Sequence, residues 1–383
     1  MSTAAPFSPS FPVPLSPLRV GVDALNLLHD QRGIGRYARA LLSRWAVMSD
    51  RLALTLLIPH RFPRLVERRL SAAIGAQLAV RRRAEAARLG LHVVWYPWSG
   101  MTWVSGVTSV ATVHDVWPFA APAEDERKRN TEQTPFRRTA DLAAAIITDS
   151  AFSKSEIVRY LKVQPDRVTV IPLGVDVPKS SDAKRVALNG AQRYVLFVGE
   201  AEERKDVATL LRAMQQLPDE LRLTTGVVMV GKPPPPQRRV GRLRTQPERF
   251  TLDFEPRSGV LTVATGTIHD DALAALYHGA TAFVFPSRYE GFGLPVLEAM
   301  AHGVPVIASD AASVPEVAGD AALFFPTGKA DELAAQIERL LKDEPLRQRL
   351  QTCGYTRARE CSWDVCADRT LAVLASTVAE AAR

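Results

Sequence analysis

One stretch of the chain, residues 282–300, constrains the fold more than any other. Its apolar run 282–285 predicts a short buried parallel strand, because the run is rich in aromatic and β-branched residues and stops at Pro286. A loop with two glycines follows. Pro295 then stands in the first turn of a predicted helix, and Gly303 is a natural stop after it. The stretch therefore predicts a strand, a glycine loop and a helix N-terminus.

This arrangement places unpaired N–H groups and the positive end of a helix dipole at the carboxyl edge of a sheet, which favours an anionic ligand such as a diphosphate. Gly291 and Gly293 let the backbone approach that ligand closely. Glu290 precedes the glycines, and Glu298 lies one turn inside the helix. Because a carboxylate accepts hydroxyl hydrogen bonds well, we expect the two glutamates to hold different parts of one elongated, hydroxyl-rich molecule.

The size and composition of the chain favour a two-domain globular protein in a reducing compartment. Its 383 residues exceed what one hydrophobic core normally supports. The three cysteines have no histidine beside them at zinc-ligand spacing and are expected to be packing thiols. No run approaches the roughly 18 to 20 apolar residues that span a bilayer. Residues 1–17 make a poor signal peptide and predict a flexible tail, so a cytoplasmic location is expected.

The net charge of +7 suggests an acidic partner. The positive charge concentrates between His60 and His92, where only Glu67 and Glu85 oppose eight arginines: Arg61, Arg64, Arg68, Arg69, Arg81, Arg82, Arg83 and Arg88. This arginine-rich region could bind anionic lipid headgroups, or it could be an ordinary solvated face. No interleaved aromatic residues or nucleic-acid-binding module accompany it, so nucleic acid is not an expected partner.

Residues 285–328, FPSRYEGFGLPVLEAMAHGVPVIASDAASVPEVAGDAALFFPTG, resemble the donor-site signature of the family 4 retaining glycosyltransferases. The likeness runs through almost the whole chain after residue 17. It implies the GT-B fold, an α/β architecture in which two Rossmann-like domains face each other across a cleft. It also implies a C-terminal helix that crosses back to the N-terminal domain.

The resemblance and the composition together predict the domain boundaries. After the tail we expect a Rossmann-like acceptor domain over 18–177 and a polar linker over 178–192, which shows no hydrophobic periodicity. A Rossmann-like nucleotide-sugar donor domain over 193–362 and the returning helix over 363–383 follow. Residues 233–249 begin with four prolines and predict an extended loop.

Two motifs of the N-terminal half match the family. GIGRY resembles its N-terminal glycine loop, which implies that Gly33 and Gly35 lie by the donor phosphates and the acceptor. TVHD matches the cleft histidine of the family, so His114 is expected to contact the transferred sugar. A histidine at the carboxyl end of a parallel strand lies at the edge of the sheet where ligands bind.

In the C-terminal half, Arg204 and Lys205 match the cations of the family segment VGxxxPRKN, although Glu203 replaces the usual proline and Asp206 the usual asparagine. A leaving nucleoside diphosphate gains negative charge, and fixed cations can stabilise it. Gly231 and Lys232 lie where the nucleotide base of the donor packs in the family.

The resemblance implies transfer of a hexose from a nucleotide diphosphate sugar to an acceptor hydroxyl with retained anomeric configuration. Glu290 is expected to hold the sugar hydroxyls near C3 and C4, helped by backbone N–H groups of Phe292, Gly293 and Leu294. Glu298 is expected to hold the ribose. The chain has no Asp-x-Asp triad and no His/Asp cluster at metal-ligand spacing, so we expect a site without metal or cofactor.

The motifs are most similar to those of bacterial mannosyltransferases that use GDP-mannose and act on glycans linked to polyprenyl diphosphate. A lipid-linked acceptor would suit the arginine-rich region and a peripheral position on the inner face of the cytoplasmic membrane. UDP-glucose, other UDP-hexoses and GDP-fucose stay open as donors. A nucleotide-sugar epimerase, a phosphorylase and a non-catalytic sugar-nucleotide-binding protein are the competing classes.

Overall fold

The computed structural model describes residues 17–30, 33–59, 63–98, 103–104, 106–178, 185–232, 242–245 and 249–383. The four prolines at 233–236, residues 1–16 of the predicted tail and Arg61 lie outside the described residues. No side-chain placement is described for Arg64.

The strands are β1 (Leu18–Asp23), β2 (Leu52–Ile58), β3 (Ala79–Arg82), β4 (Val93–Tyr96), β5 (Thr108–Thr112), β6 (Ala145–Thr148), β7 (Val168–Val170), β8 (Arg185–Asn189), β9 (Arg193–Val198), β10 (Thr225–Val230), β11 (Arg242–Thr245), β12 (Arg249–Asp253), β13 (Glu255–Arg257), β14 (Val260–Gly266), β15 (Ala282–Phe285), β16 (Val306–Ser309) and β17 (Ala322–Phe325).

The α-helices are α1 (Gly33–Trp45), α2 (Pro63–Ile74), α3 (Trp117–Ala120), α4 (Glu126–Leu142), α5 (Ala151–Leu161), α6 (Val207–Gln215), α7 (Asp219–Arg222), α8 (Asp270–Gly279), α9 (Leu294–Ala301), α10 (Val314–Ala318), α11 (Ala330–Lys342), α12 (Glu344–Glu360) and α13 (Trp363–Ala381). Short 3-10 turns add Arg83–Arg88, Pro165–Arg167, Glu203–Lys205 and Gly319–Ala321.

Two seven-stranded sheets organise these elements. The first has the strand order β3-β2-β1-β4-β5-β6-β7, and the second has the order β13-β14-β10-β9-β15-β16-β17. Pairing is parallel at the centre of both, for example between β1 and β4 and between β9 and β15, whereas β13 runs antiparallel to β14. Both orders reverse direction beside the first strand of the sheet, β1 or β9, as doubly wound nucleotide-binding sheets do.

Burial explains why the central strands form. Every residue of β4, β10, β15 and β16 is buried, as expected for parallel strands covered by helices on both faces. The helices contribute one apolar face each. In α1 that face includes Tyr37, Leu41 and Trp45, at helical spacing, and Trp45 packs edge-on against Trp95 of β4 with ring centroids 5.0 Å apart.

The chain divides into two compact units. The first contains the described residues up to Val113 together with 134–147 and 367–383, and the second contains 114–133 and 148–366. Most of α13 therefore belongs to the first unit, where Trp45 Nε1 donates a hydrogen bond to the carbonyl of Ala367 at 3.2 Å. This grouping agrees with the predicted helix that returns to the N-terminal half. The domain boundaries drawn from the sequence stay predictions.

Two regions expected to lack regular structure contain strands. β8 lies inside the predicted linker and pairs in parallel with β12, while β11 lies inside the predicted loop 233–249 and pairs antiparallel with β12. The apolar side of this small sheet is short: Val186, Leu243 and Phe250 pack with α8. β11 has a single apolar residue, Leu243, and β8 has three in a row at 186–188, so neither strand shows an alternation long enough to be recognised.

The arginine-rich region also forms regular structure, in α2 and β3. The side chains of Arg68, Arg69, Arg81 and Arg82 are exposed, but Arg83 is not: its Nη2 pairs at 2.8 Å with the carboxylate of buried Asp23. One arginine of the expected lipid-binding face is thus an internal partner. In the part of the chain that is described, no helix combines the length and apolar character needed to cross a bilayer.

Candidate active site

The stretch that dominates the sequence folds as predicted. β15 is fully buried and ends before Pro286, and α9 begins at Leu294 with Pro295 in its first turn. Gly293 caps the helix with φ of +96°, a left-handed conformation that favours glycine. The first N–H groups of α9 and its positive dipole end therefore lie directly beside the glycine loop 290–293.

Three serine hydroxyls fix the carbonyl groups of this loop. Ser313 donates to the carbonyl oxygen of Glu290 at 2.9 Å. Ser150 and Ser153 donate to the carbonyl oxygen of Gly291 at 2.6 and 3.0 Å. All three serines are buried, so each hydroxyl satisfies a polar backbone group away from water. With its carbonyls held in this way, the loop is preorganised before any ligand arrives.

Gly291 cannot become alanine without moving its surroundings. A Cβ atom at this position would lie 2.1 Å from the carbonyl oxygen of His114 and 3.0 Å from Cβ of Asp115, and a backbone oxygen cannot give way as a flexible side chain can. Because the shift would move neighbouring Glu290, we expect Gly291→Ala to lower kcat/KM at least about 10²-fold, the cost that a misplacement near 1 Å can carry. Initial rates with a saturating acceptor measure this.

The control for that change is Ala301→Gly, in the last turn of α9, which creates no new contact and costs helix propensity of about 1 kcal/mol together with the packing of one buried methyl group. Turnover within about threefold of wild type in Gly291→Ala would show that the loop relaxes freely, contrary to the close packing described.

Arg204 and Lys205, the two cations predicted from the sequence, both pair with Glu290, the carboxylate predicted to bind the sugar. Lys205 Nζ lies 2.6 Å from Oε1 of Glu290, and Arg204 Nη1 lies 3.6 Å from Oε2. The Lys205 side chain is only 11% exposed and also lies over the ring of Phe285, with Nζ 5.3 Å from the centroid. The structure thus brings Glu290, Arg204 and Lys205 into one cluster, although 85 residues separate the lysine from the glutamate.

The turn that carries the cations is held by Asp206, which replaces the usual asparagine. Asp206 has φ of +45°, and its side chain caps α6 by accepting a hydrogen bond from the backbone N–H of Thr209. Its Oδ2 also accepts a hydrogen bond from Nε of Arg288 at 2.9 Å. The backbone N–H of Arg288 in turn donates to the carbonyl of Arg204 at 2.7 Å. Aspartate is one of the few residues that tolerate a left-handed conformation, so the replacement keeps the turn.

The acidic neighbours of Arg204 stabilise its charged form. Burial opposes its charge, but the carboxylates of Glu290, Glu202 and Asp115 together outweigh burial and raise the pKa of the guanidinium. Glu202 is its nearest partner, with Oε2 2.8 Å from Nε. The cluster therefore keeps fixed positive charge in a largely desolvated place, where electrostatic interactions are strong.

His114 also lies in this neighbourhood. It is buried, its carbonyl packs against Gly291, and its Nδ1 lies 2.6 Å from Oδ2 of Asp149. Asp149 was not among the predicted site residues. The only sequence signal for it is position, because it directly follows β6 as His114 follows β5, and the carboxyl ends of neighbouring parallel strands meet at one edge.

Glu298 lies on α9, buried, and accepts a hydrogen bond from the hydroxyl of Tyr277 at 3.2 Å. The Tyr277 ring stacks on His302, with centroids 5.1 Å apart and planes 11° from parallel. Burial, helped by nearby His278, lowers the pKa of His302 to about 4. The imidazole that stacks on Tyr277 is therefore neutral at pH 7. Tyr277 was missed because its apolar spacing in α8 indicates a core residue.

The remaining predicted donor-site residues lie in three places. Phe292 is buried within the loop, and Leu294 is buried directly after it at the start of α9. Gly231 has φ of +115°, and a Cβ there would meet the carbonyl oxygen of Gly199 at 2.3 Å, so glycine is required. Lys232 follows it with an exposed side chain, and its carbonyl accepts from the N–H of Ala201 at 2.9 Å.

Gly33 and Gly35 belong to the first unit, so their assignment to donor binding stays a prediction. Gly35 is packed tightly, since a Cβ there would lie 1.8 Å from the carbonyl oxygen of Asp30, whereas a Cβ at Gly33 would have no described atom within 4 Å beyond its chain neighbours and its own helix. Over the described ranges, no three His, Cys, Asp or Glu side chains are grouped so that they could hold a metal ion.

The sequence and the fold agree with those of known proteins. Residues 178–357 match the family described as "Glycosyl transferases group 1", and residues 33–179 match "Glycosyltransferase Family 4". The chain is 33% identical over 371 residues to O-antigen chain mannosyltransferase B of Escherichia coli, covering 88% of this chain and 94% of that protein. It is 28% identical over 265 residues to the serotype-specific mannosyltransferase WbdA of Escherichia coli, covering 67% of this chain and 32% of WbdA.

Among solved structures, the sucrose-phosphate synthase of Thermosynechococcus elongatus shares the fold with a TM-score of 0.68 and 19% identity, covering 95% of this chain and 100% of that one. The molecule is thus a GT-B glycosyltransferase, as the sequence motifs predicted. The chain belongs to glycosyltransferase family 4, and its activity is that of a hexosyltransferase.

Proposed function

We propose that this enzyme transfers mannose from GDP-mannose to a glycan acceptor linked to polyprenyl diphosphate, with retained anomeric configuration and without a metal ion. The observation that carries the proposal is the 33% identity to O-antigen chain mannosyltransferase B, because it extends over 94% of that protein. The similarity to WbdA, which is also a mannosyltransferase, favours the same sugar.

In the proposed mechanism, Glu290 binds sugar hydroxyls near C3 and C4, and backbone N–H groups of Phe292, Gly293 and Leu294 assist it. Glu298, oriented by Tyr277, binds the ribose hydroxyls. Gly231 lets the nucleotide base approach the backbone, while Lys232, Gly33 and Gly35 complete the donor contacts.

Lys205 and Arg204 have a second task in this mechanism, which is to stabilise the leaving diphosphate. Glu290 is their counterion in the described arrangement, at 2.6 and 3.6 Å. A diphosphate carries more charge than one carboxylate, so it can share or take over these contacts as the glycosidic bond breaks. The leaving phosphate oxygen would then help deprotonate the acceptor on the same face of the sugar, and His114 would contact the transferred sugar.

The arginine-rich region supports a lipid-linked acceptor. Arg68 and Arg69 on α2 and Arg81 and Arg82 on β3 are exposed, and Arg88 adds a further exposed side chain. Each such cation near an anionic membrane surface contributes on the order of 1 kcal/mol, so peripheral binding at the inner face of the membrane is part of the proposal. Other donors of the same family, a UDP-hexose or GDP-fucose, are the second candidates.

A donor panel tests the proposal. We expect GDP and GDP-mannose, each at about 100 times its dissociation constant, to stabilise the native state by about 2.7 kcal/mol, since a ligand bound only by the folded protein raises its melting temperature. UDP, UDP-glucose and GDP-fucose serve as matched controls. Mass spectrometry of a polyprenyl-diphosphate glycan incubated with GDP-mannose should show one added hexose, with EDTA harmless. Stabilisation and transfer with a UDP-sugar alone would overturn the choice of donor.

A further inference from the structure

Asp115 is a carboxylate at the edge of the cation cluster, and the proposed mechanism gives it no task. Its Oδ2 lies 4.0 Å from Nη1 of Arg204, and a Cβ placed on Gly291 would lie 3.0 Å from its own Cβ. Its Oδ1 accepts the backbone N–H of Trp117 at 3.0 Å, which fixes the side chain in a local turn. Asp115 therefore touches the glycine loop, one of the two cations and the start of α3.

One oxygen of this carboxylate is open to a ligand. At 4.0 Å, Arg204 lies beyond hydrogen-bond distance of Oδ2, and no other described residue donates to that oxygen. The Asp115 side chain is 27% exposed, whereas that of Glu290 is 8% exposed and already pairs with Lys205. Asp115 can therefore accept a hydrogen bond from an incoming hydroxyl without breaking a contact of its own.

Trp117 adds a half-buried indole two residues after this carboxylate. Its ring packs against that of Tyr289, with centroids 5.2 Å apart and planes inclined by 50°, and part of the indole stays accessible. Tyr289 is buried and directly precedes Glu290, so the indole lies close to the carboxylate proposed to bind the donor sugar. Aromatic faces with a few well-placed polar groups are typical of small-ligand sites, and a pyranose offers C–H faces and edge hydroxyls to both.

The stereochemistry of a retaining transfer brings the acceptor to this place. In the proposed mechanism the acceptor hydroxyl attacks the face of the sugar that the diphosphate leaves, and Arg204 and Lys205 hold the diphosphate. The bond from C1 to the phosphate oxygen breaks, the bond from C1 to the acceptor oxygen forms, and the hydroxyl proton passes to the departing phosphate. The acceptor must then lie beside the cations, and Asp115 is the open carboxylate next to Arg204.

We propose that Asp115 and Trp117 form a subsite for the acceptor sugar: Oδ2 of Asp115 accepts a hydrogen bond from a hydroxyl next to the one that is glycosylated, and the indole packs against a C–H face of the same pyranose. This inference rests on the proposed retaining transfer at Glu290, Arg204 and Lys205. It assigns to these two residues the choice of acceptor, which the donor-binding residues do not determine.

Asp115→Asn removes the open acceptor oxygen and keeps the turn. Asparagine Oδ1 can still accept the N–H of Trp117, but the NH₂ group in place of Oδ2 can only donate. We expect the KM for the polyprenyl-diphosphate glycan to rise about 10- to 100-fold, the effect of losing one hydrogen bond to a charged group. The matched control is Asp310→Asn, because exposed Asp310 also accepts a backbone N–H, that of Thr327, at 2.9 Å. An acceptor KM that Asp115→Asn leaves unchanged would overturn the proposal.

Hydrolysis of the donor separates acceptor binding from damage to the donor site. Without the glycan, water takes the place of the acceptor, and release of the nucleoside diphosphate by Asp115→Asn should stay within about threefold of wild type. The donor KM should change as little. If hydrolysis and transfer fell equally, Asp115 would act on the donor or through Arg204, contrary to the proposal.

Trp117→Leu tests the aromatic half of the subsite. Leucine keeps apolar volume against Tyr289 but offers no flat face to a sugar, so the acceptor KM should rise about 3- to 10-fold. The control is Phe119→Leu on the same short helix, whose ring packs 6.0 Å from that of Tyr160. If the two leucine variants gave the same acceptor KM, the indole would have no part in binding the acceptor.

These rates are measured with the donor that the panel identifies, so transfer from a UDP-sugar would change the proposed donor and leave the comparison of variants intact. An inverted anomeric configuration of the product, read from its proton NMR spectrum, would instead refute the mechanism on which the subsite rests. Failure of the subsite and failure of the proposed function are therefore distinguishable.

Discussion

Replacing Lys205 with methionine is expected to lower kcat/KM about 10²- to 10³-fold, the range seen when one preorganised group that stabilises developing negative charge is lost. Methionine keeps an unbranched apolar stem in the packed position over Phe285, so the change removes the charge more than the volume. The loss should fall mainly on kcat, because the leaving diphosphate needs the cation most as the glycosidic bond breaks. Initial rates over a range of donor concentrations measure it.

The chain offers a matched control in Lys342. Its Nζ pairs with Glu338 at 2.8 Å, much as Lys205 pairs with Glu290, but it lies on α11 with 49% of the side chain exposed. Exposed ion pairs contribute little, so Lys342→Met should leave kcat/KM within about twofold of wild type. Equal, small effects of the two substitutions would show that Lys205 is a structural cation with no part in the chemistry.

Replacing Glu290 with glutamine is the second large change, and we expect kcat/KM to fall about 10²-fold. The amide keeps the size of the side chain but loses the charge that pairs with Lys205 and Arg204, and one of its two ends can only donate. Sugar hydroxyls then lose an acceptor, Lys205 loses its paired carboxylate, and Arg204 keeps Glu202 but loses one of its acidic neighbours. Donor turnover and the melting temperature should be measured together.

Glu338→Gln is the control for this substitution, because it removes one of two surface partners of Lys342, the other being Glu220, and should be nearly silent. A nucleoside diphosphate should recover part of any stability that Glu290→Gln loses, since its phosphates can pair with both cations. If Glu290→Gln turned over normally at a lower melting temperature, the carboxylate would serve only to neutralise the cations.

The strand, glycine loop and helix around residues 282–301 could be predicted from sequence, because each step is encoded locally. A short apolar run, a glycine that adopts φ of +96° and a proline in the first helical turn are neighbours in the chain. The cations Arg204 and Lys205 were found through a motif, and the resemblance assigned them and Glu290 to one donor molecule. Their direct pairing with Glu290 was not predicted. The locally encoded part of the site needed no knowledge of distant packing.

What could not be predicted depends on contacts between remote residues. The serines at 150, 153 and 313 hold the loop from segments with ordinary capping or turn character, and nothing local distinguishes them. Asp149 and Tyr277 look like a helix-start residue and a core aromatic. The strands β8 and β11 were not predicted, because each has a short apolar side that is completed only by packing against α8.

A crystal structure with the nucleoside diphosphate that most stabilises the protein tests the central claim most directly, which is that protein cations and a helix N-terminus neutralise the leaving group. We expect Lys205 Nζ and the Arg204 guanidinium within about 3 Å of phosphate oxygens, which is charge-assisted hydrogen-bond distance, and Glu298 on the ribose hydroxyls. A diphosphate bound away from Lys205 and from the start of α9, or held by a metal ion instead, would contradict it.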